Sequence, residues 1–276
     1  MMGANSKIEW CDHTFNPWIG CQKVSPACNN CYAEAWAKRS GLVEFGAKKD
    51  RRRTSIKNWH LPEKWNRISS DSFTAWEEHS KKAEFTNCPT CPRVFCGSLC
   101  DVFDIAVPDE WRADLFRLIH DTPNLDWLLL TKRIANAKRM TETAVGRASF
   151  GKWMNLWLGA TVCNQEEADR DIPKLLEFPA TKRFLSIEPM LGAINISPWI
   201  KSLDWIIVGG ETGSKARPMY PEWPRSIRDQ CAVAKVPFFF KQWGEFRWDK
   251  WQSQIVRVGK KWAGCLLDSR EHKEFP

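Results

Sequence analysis

Residues 126–133 read Asp126-Trp127-Leu128-Leu129-Leu130-Thr131-Lys132-Arg133, an almost unbroken apolar run with an abruptly polar end. A strand buried on both faces has this composition, whereas a half-exposed strand would alternate. Runs of the same kind occupy 93–101, 155–162, 183–188, 204–210 and 236–242. Start to start, the six runs lie 33, 29, 28, 21 and 32 residues apart, close to the ~30 residues of one strand-helix-strand unit. The clearest intervening helix opens at Val107-Pro108-Asp109-Glu110, where proline and two carboxylates suit the positive end of the helix dipole. Its apolar residues Trp111, Leu115, Leu118 and Ile119 share one helical face. Stretches 166–178 and 223–233 read similarly, and a strand at 15–20 with a helix at 32–39 would supply the first unit. The predicted class is α/β, a partial or complete TIM-like (β/α) barrel, with a doubly wound open sheet as the alternative. The whole chain, 1–276, reads as one domain. It carries an insertion at 41–92 after the first helix and a C-terminal extension at 244–276, whose hairpin would pair 254–258 with 261–267.

Composition narrows the function classes. The 276 residues carry 41 Lys plus Arg against 33 Asp plus Glu, a net charge of +8, and 43% are hydrophobic. That excludes intrinsic disorder and a minimal disulfide scaffold. No apolar run approaches the ~20 residues of a membrane span. The N-terminus shows no secretory pattern, so a reducing cytoplasm is expected, and the eleven cysteines need a purpose other than disulfides. Residues 38–67 hold ten basic against three acidic side chains, a local +7 interleaved with Trp59 and Trp65. Such a segment can bind nucleic acid through phosphates and base faces, or form a solvated loop.

In a parallel barrel, loops at the C-terminal strand ends converge on one mouth. The expected ends carry Cys21, Asp101 with Asp104, Thr131-Lys132-Arg133, Cys163, Glu188, Glu211-Thr212 and Lys241-Gln242. Asp101, Lys132 and Lys241 are the candidates for positioning a substrate. Gly209-Gly210-Glu211 would let backbone amides approach a ligand, and Glu188, fixed before Pro189, would hold a polar group of the same ligand. Cys163 is either a hydrogen-atom donor or a buried thiol; Cys231 and Cys265 read as packing. The five histidines form no metal or triad pattern, and there is no P-loop.

Cys21, Cys28 and Cys31 fall within eleven residues, between the first strand and the first helix. Three thiolates can hold three irons of a 4Fe-4S cluster and leave the fourth open, as chelation of S-adenosylmethionine requires. A structural zinc, with Cys11 or His13 as fourth ligand, uses the same residues. The run NPWIGCQKVSPACNNCYAEAWA (16–37), followed by CGSLCDVF, DWLLLTKR, WLGATV, RFLSIEPMLG, DWIIVGGETG, KARPM and VPFFFKQWG, resembles a family of phage and prophage proteins with a three-cysteine motif, related to radical S-adenosylmethionine enzymes. The resemblance covers nearly the whole chain. It implies a radical S-adenosylmethionine type of barrel, a 4Fe-4S cluster on Cys21, Cys28 and Cys31, and cleavage of S-adenosylmethionine to a 5'-deoxyadenosyl radical. Six residues separate the first two cysteines, against three in the commonest radical enzymes. It also implies a flavodoxin-like or ferredoxin-like electron donor and a three-Cys-motif partner protein.

The second cysteine set is Cys88, Cys91, Cys96 and Cys100. Cys88 and Cys91 have the spacing of a knuckle for a structural zinc or a second cluster, with unpaired thiols as the alternative. Cys96 and Cys100, if on one strand, would stand ~13 Å apart. The expected function is therefore a radical S-adenosylmethionine enzyme modifying or repairing a nucleic acid. The rival is a zinc-stabilised, non-catalytic nucleic-acid-binding or adaptor protein.

Overall fold

The structure, a computed structural model, describes residues 3–80, 88–151, 153–249 and 251–276. Parts of the expected insertion (81–87) and of the extension (250) lie outside them. In chain order the elements are β1 (Gly3–Ala4), β2 (His13–Phe15), β3 (Trp18–Ile19), α1 (Tyr32–Ser40), β4 (Arg52–Arg53), α2 (Ile56–Ser80), β5 (Arg93–Cys96), α3 (Asp109–Asp121), β6 (Asp126–Thr131), α4 (Ile134–Val145), β7 (Leu156–Thr161), α5 (Gln165–Leu176), β8 (Lys182–Ile187), β9 (Trp205–Gly209), α6 (Glu222–Ala234), β10 (Phe238–Gln242), β11 (Phe246–Asp249), β12 (Gln254–Arg257) and α7 (Lys260–Ala263).

Among the described residues the main sheet has the order β1-β2-β5-β6-β7-β8-β9-β10, parallel from β2 to β10, with β1 antiparallel at its edge. Spatial order thus follows chain order without reversal. A doubly wound sheet reverses direction at a switch point, so the architecture is a curled, singly wound half-barrel. The C-terminal tail takes the outer edge of β10, where Phe239 pairs with Lys273 and the Phe240 amide donates to the His272 carbonyl at 2.8 Å.

Side-chain alternation divides the sheet into two surfaces. Outward residues such as Val94, Leu129, Leu158, Leu185, Ile206 and Phe240 join the core beneath the helices. Inward residues Phe95, Leu128, Trp157, Phe184, Trp205 and Phe239, with Trp10, fill the lower half of the barrel interior. Trp205 is the centre of this plug, fully buried, with ring centroids of Phe239 at 5.9 Å and Phe275 at 5.3 Å. Its indole donates to the Glu274 carbonyl at 2.8 Å. Gly159 is required here, because a Cβ would come within 2.4 Å of the Phe184 ring.

Several sequence expectations change. The first strand ends at Phe15, not Gly20, because Asn16 turns the chain: its side chain accepts from the Leu99 amide at 2.7 Å, and its carbonyl binds Asn58 at 3.0 Å. The expected insertion contains the long α2, whose Trp59 and Trp65 are buried in the main core. These indoles are not available to stack on bases. Arg51 is buried as well, while Arg53 pairs with Asp114 at 2.7 Å and lies 4.4 Å over Trp59. The segment at 38–67 is therefore not one solvated basic loop. The strand opening at 93 stops at Cys96; Gly97, at φ +91°, starts a turn in which the Cys100 amide donates back to Gly97 at 3.4 Å. Cys96 and Cys100 accordingly do not lie along one strand. The C-terminal hairpin joins β11 to β12, and 261–267 begins in α7 rather than in a second strand.

Candidate functional site

The cysteine loop leaves β2 through Asn16-Pro17 and crosses the top of β5, where the Gly20 amide donates to Leu99 at 3.1 Å. Ser25 caps a single 3-10 turn, Pro26–Cys28, by accepting from the Ala27 amide at 3.0 Å. Cys31 occupies the N-cap of α1 and makes no side-chain capping bond there. The Tyr32 hydroxyl donates to the Ser98 carbonyl at 2.6 Å, holding the start of α1 against the same turn as Asn16. These local constraints bring Cys21, Cys28 and Cys31 around one cavity of about 370 Å³, shared with Glu34, Phe45 and Gly46. Its size lies within the range of small-ligand sites, roughly 300–1,000 Å³. A larger hollow of about 740 Å³, lined by Glu222, Arg225 and Asp229 of α6, contains none of the candidate site residues.

Arg133, directly after β6, reaches into the loop. Its Nη1 donates to Cys21 Sγ at 3.3 Å and its Nη2 to the Gln22 carbonyl at 2.9 Å. The same guanidinium lies 3.2 Å from Asp101 and 3.9 Å from Asp104, and Arg51 binds Asp104 at 2.8 Å. Two carboxylates and two guanidiniums are thus buried together beneath the cysteine loop. Burial alone would lower the Arg133 pKa, but Asp101, Cys21 and Asp104 hold it above the ordinary range. Burial, with the charge of Asp101, pushes the Cys21 thiol up to about 11 while Arg133 opposes the shift.

On the opposite side Arg217 binds both oxygens of Glu211, at 2.5 and 2.8 Å, and donates to the Pro26 carbonyl at 3.0 Å. Asn30 donates to Glu211 at 3.0 Å and to the Lys215 carbonyl at 2.8 Å. Burial would raise the Glu211 pKa, yet its bonds to Arg217 and Asn30 lower it below the usual carboxylate range. The loop after β9 therefore clamps the cysteine loop.

The candidates fall into two groups. Lys132, Glu188, Gly209 and Lys241 continue the inward alternation above the aromatic plug. Lys241 Nζ binds both Glu188 oxygens, at 2.8 and 2.9 Å, and Lys132 Nζ lies 3.4 Å from Thr161 Oγ1. Asp101 and Glu211 instead act within the protein. Asp101 accepts from the Thr131 hydroxyl at 2.8 Å, the Lys132 amide at 3.0 Å and the Phe103 amide at 3.0 Å. Gly210 is needed for the chain itself, since a Cβ there would meet the Trp243 carbonyl at 1.9 Å. Arg133, Arg217 and Asn30 were not singled out by sequence reasoning; only the polar strand end 131–133 hinted at the first.

Cys11 lies in the aromatic plug with its thiol facing the Ile8 carbonyl at 3.7 Å, and His13 stacks on Trp65 at 4.3 Å. Neither lines the cavity of the other three thiols, so the expected fourth zinc ligand is not assembled from them. Cys88 is exposed and Cys91 partly so, just before β5. Among the described residues no three His, Cys, Asp or Glu side chains are grouped to hold a single metal ion. No helix among them is long and apolar enough to cross a membrane.

The chain matches, over residues 5–276, the model of a family described as protein of unknown function (DUF5131), and it belongs to that family. No curated protein and no solved structure matches it.

Proposed function

We propose that this protein is a radical S-adenosylmethionine enzyme acting on a nucleic acid, with Cys21, Cys28 and Cys31 as the ligands of a 4Fe-4S cluster. The carrying observation is that these three thiols line one cavity, on a loop that crosses the C-terminal end of a strand in a parallel half-barrel. Such a cluster, when bound, supplies reductive cleavage of S-adenosylmethionine to a 5'-deoxyadenosyl radical. The donor set fits it: three thiols not joined in disulfides line a single cavity, and the Arg133 guanidinium donates to one of them.

The chain's own residues divide the remaining work. Arg133 fixes Cys21 and Gln22 from below, and the Glu211–Arg217 pair fixes Pro26 and Asn30 from the side. Glu188, Lys241, Lys132 and Thr161 offer paired polar contacts for the polar groups of S-adenosylmethionine and substrate. The aromatic plug around Trp205 excludes water from beneath them. The required electron comes from a flavodoxin-like or ferredoxin-like donor, a three-Cys-motif partner protein completes the system, and a reducing cytoplasm suits the free thiols.

The test is metal analysis and absorption spectroscopy on protein purified without oxygen, before and after dithionite and S-adenosylmethionine. About four irons per chain, a chromophore bleached by dithionite and release of 5'-deoxyadenosine are expected. The variant Cys21→Ala/Cys28→Ala/Cys31→Ala should lose all three. Unchanged iron and cleavage in that variant, or a colourless wild-type protein with stoichiometric zinc, overturns the reading.

A further inference from the structure

The C-terminal extension carries three exposed tryptophans. Trp251 is 87% exposed, Trp262 75% and Trp248 41%. Single exposed apolar residues are ordinary, but three exposed indoles within 15 residues are not. The surrounding charge is mostly positive: residues 245–262 contain Arg247, Lys250, Arg257, Lys260 and Lys261 against Glu245 and Asp249, a local +3, with Glu245 3.9 Å from Arg257. Arg247, Lys260 and Lys261 are exposed. α7, which carries Trp262, packs on β11, which carries Trp248.

This unit is fastened to the candidate site. The Glu245 amide donates to the Glu211 carbonyl at 3.1 Å, and Glu245 accepts from the Gly213 amide at 2.9 Å. Arg257 donates to the Gly213 and Ala216 carbonyls at 3.3 and 3.2 Å. The loop that clamps the cysteines is therefore also the base of the tryptophan-bearing hairpin.

We propose that Trp248, Trp251 and Trp262, with Lys260 and Lys261, bind a single-stranded polynucleotide beside the barrel mouth. Exposed indoles are stacking platforms for unpaired bases, and interleaved cations neutralise the phosphates between them. Protein interfaces are depleted in lysine, which sets this face apart from them. A lipid-inserting hairpin would need an apolar tip, whereas Trp251 is followed by Gln252 and Ser253. The proposal deepens the nucleic-acid half of the proposed function and rests on that half alone.

The experiment uses the full-length protein and fluorescence anisotropy with a labelled single-stranded oligodeoxynucleotide, its duplex form and, separately, phosphatidylserine vesicles. The expected result is salt-sensitive binding to the single strand, weaker binding to the duplex and quenching of tryptophan emission. Trp248→Ala/Trp262→Ala should weaken single-strand binding by roughly ten-fold or more. Lys260→Gln/Lys261→Gln should lower the slope of log affinity against log salt by about 1.4. Both variants should stay folded at the assay temperature, as circular dichroism would show, and keep the wild-type metal content. Absence of single-strand binding, wild-type affinity in both variants, equal duplex affinity, or binding to vesicles instead of the oligonucleotide overturns the proposal. Cluster loading and 5'-deoxyadenosine release are read independently, so failure here and failure of the cysteine chemistry are separate results.

Discussion

The guanidinium of Arg133 donates to the sulfur of Cys21 at 3.3 Å while standing 3.2 Å from Asp101. One side chain thus couples the end of β6 to the cysteine loop 112 residues earlier. Arg133→Ala would leave Asp101 and Asp104 with one fewer cation, a cost of about 3–5 kcal/mol for a broken buried pair. Arg133→Lys keeps the charge but not the two-point reach. Alanine is expected to lose stability and, on the proposed cluster assignment, iron, and lysine mainly iron, as read by urea denaturation and iron content per chain.

Glu211 ties Arg217 and Asn30 together beneath the other arm of the loop. Glu211→Gln removes the charge from that clamp and should cost about 1–3 kcal/mol. Cys28 and Cys31 should then alkylate faster in the folded, metal-free protein. A time course with iodoacetamide, resolved by peptide mass spectrometry, checks this; unchanged rates would mean the clamp does not hold the loop.

His13 and His272 both have pKa values lowered from 6.5, in each case chiefly by burial. The unfolded chain therefore binds protons first as pH falls. Their contribution to stability is complete above 6.5 and is lost as pH drops below it. The thermal midpoint should fall between about pH 7 and about pH 5, and His13→Gln/His272→Gln should flatten that slope.

The C-terminal tail covers the outer edge of β10. Phe275 packs 5.3 Å from Trp205 and 5.5 Å from Phe239, with Arg93 4.0 Å over its ring. Because Phe275 is 41% exposed, Phe275→Ala should cost about 1–2 kcal/mol. Deleting 271–276 should cost more and promote aggregation through the uncovered edge of β10, measurable by urea denaturation and light scattering.

Thiol reactivity should follow burial. Burial, with Glu167 for Cys163 and Glu274 for Cys231, pushes these two thiols up to about 12. At about pH 8 only roughly one in ten thousand of such thiols is ionised. Exposed Cys88 should therefore alkylate first and these two only on unfolding, as mass spectrometry of labelled peptides would show.

The sequence by itself determined the strand-and-helix alternation, since short apolar runs with polar ends, such as 126–132 and 204–210, recur at the spacing of strand-helix units and form β6 and β9. It also determined that the cysteine loop follows the first strand and precedes the first helix, because chain order alone sets this. The long α2 was illegible: Pro62 lies inside it, and its mixed polar face gives no sustained period. So was α4, behind the polar 131–133. Only the tertiary structure decided that Trp59, Trp65 and Arg51 are buried, that Asp101 and Glu211 are spent on internal bonds, and that the barrel stays open with the tail along its edge. The reason is physical. Local periodicity reports which faces must be buried, whereas the partner of a charge or an edge is chosen by contacts such as Asn30 with Glu211, 181 residues apart.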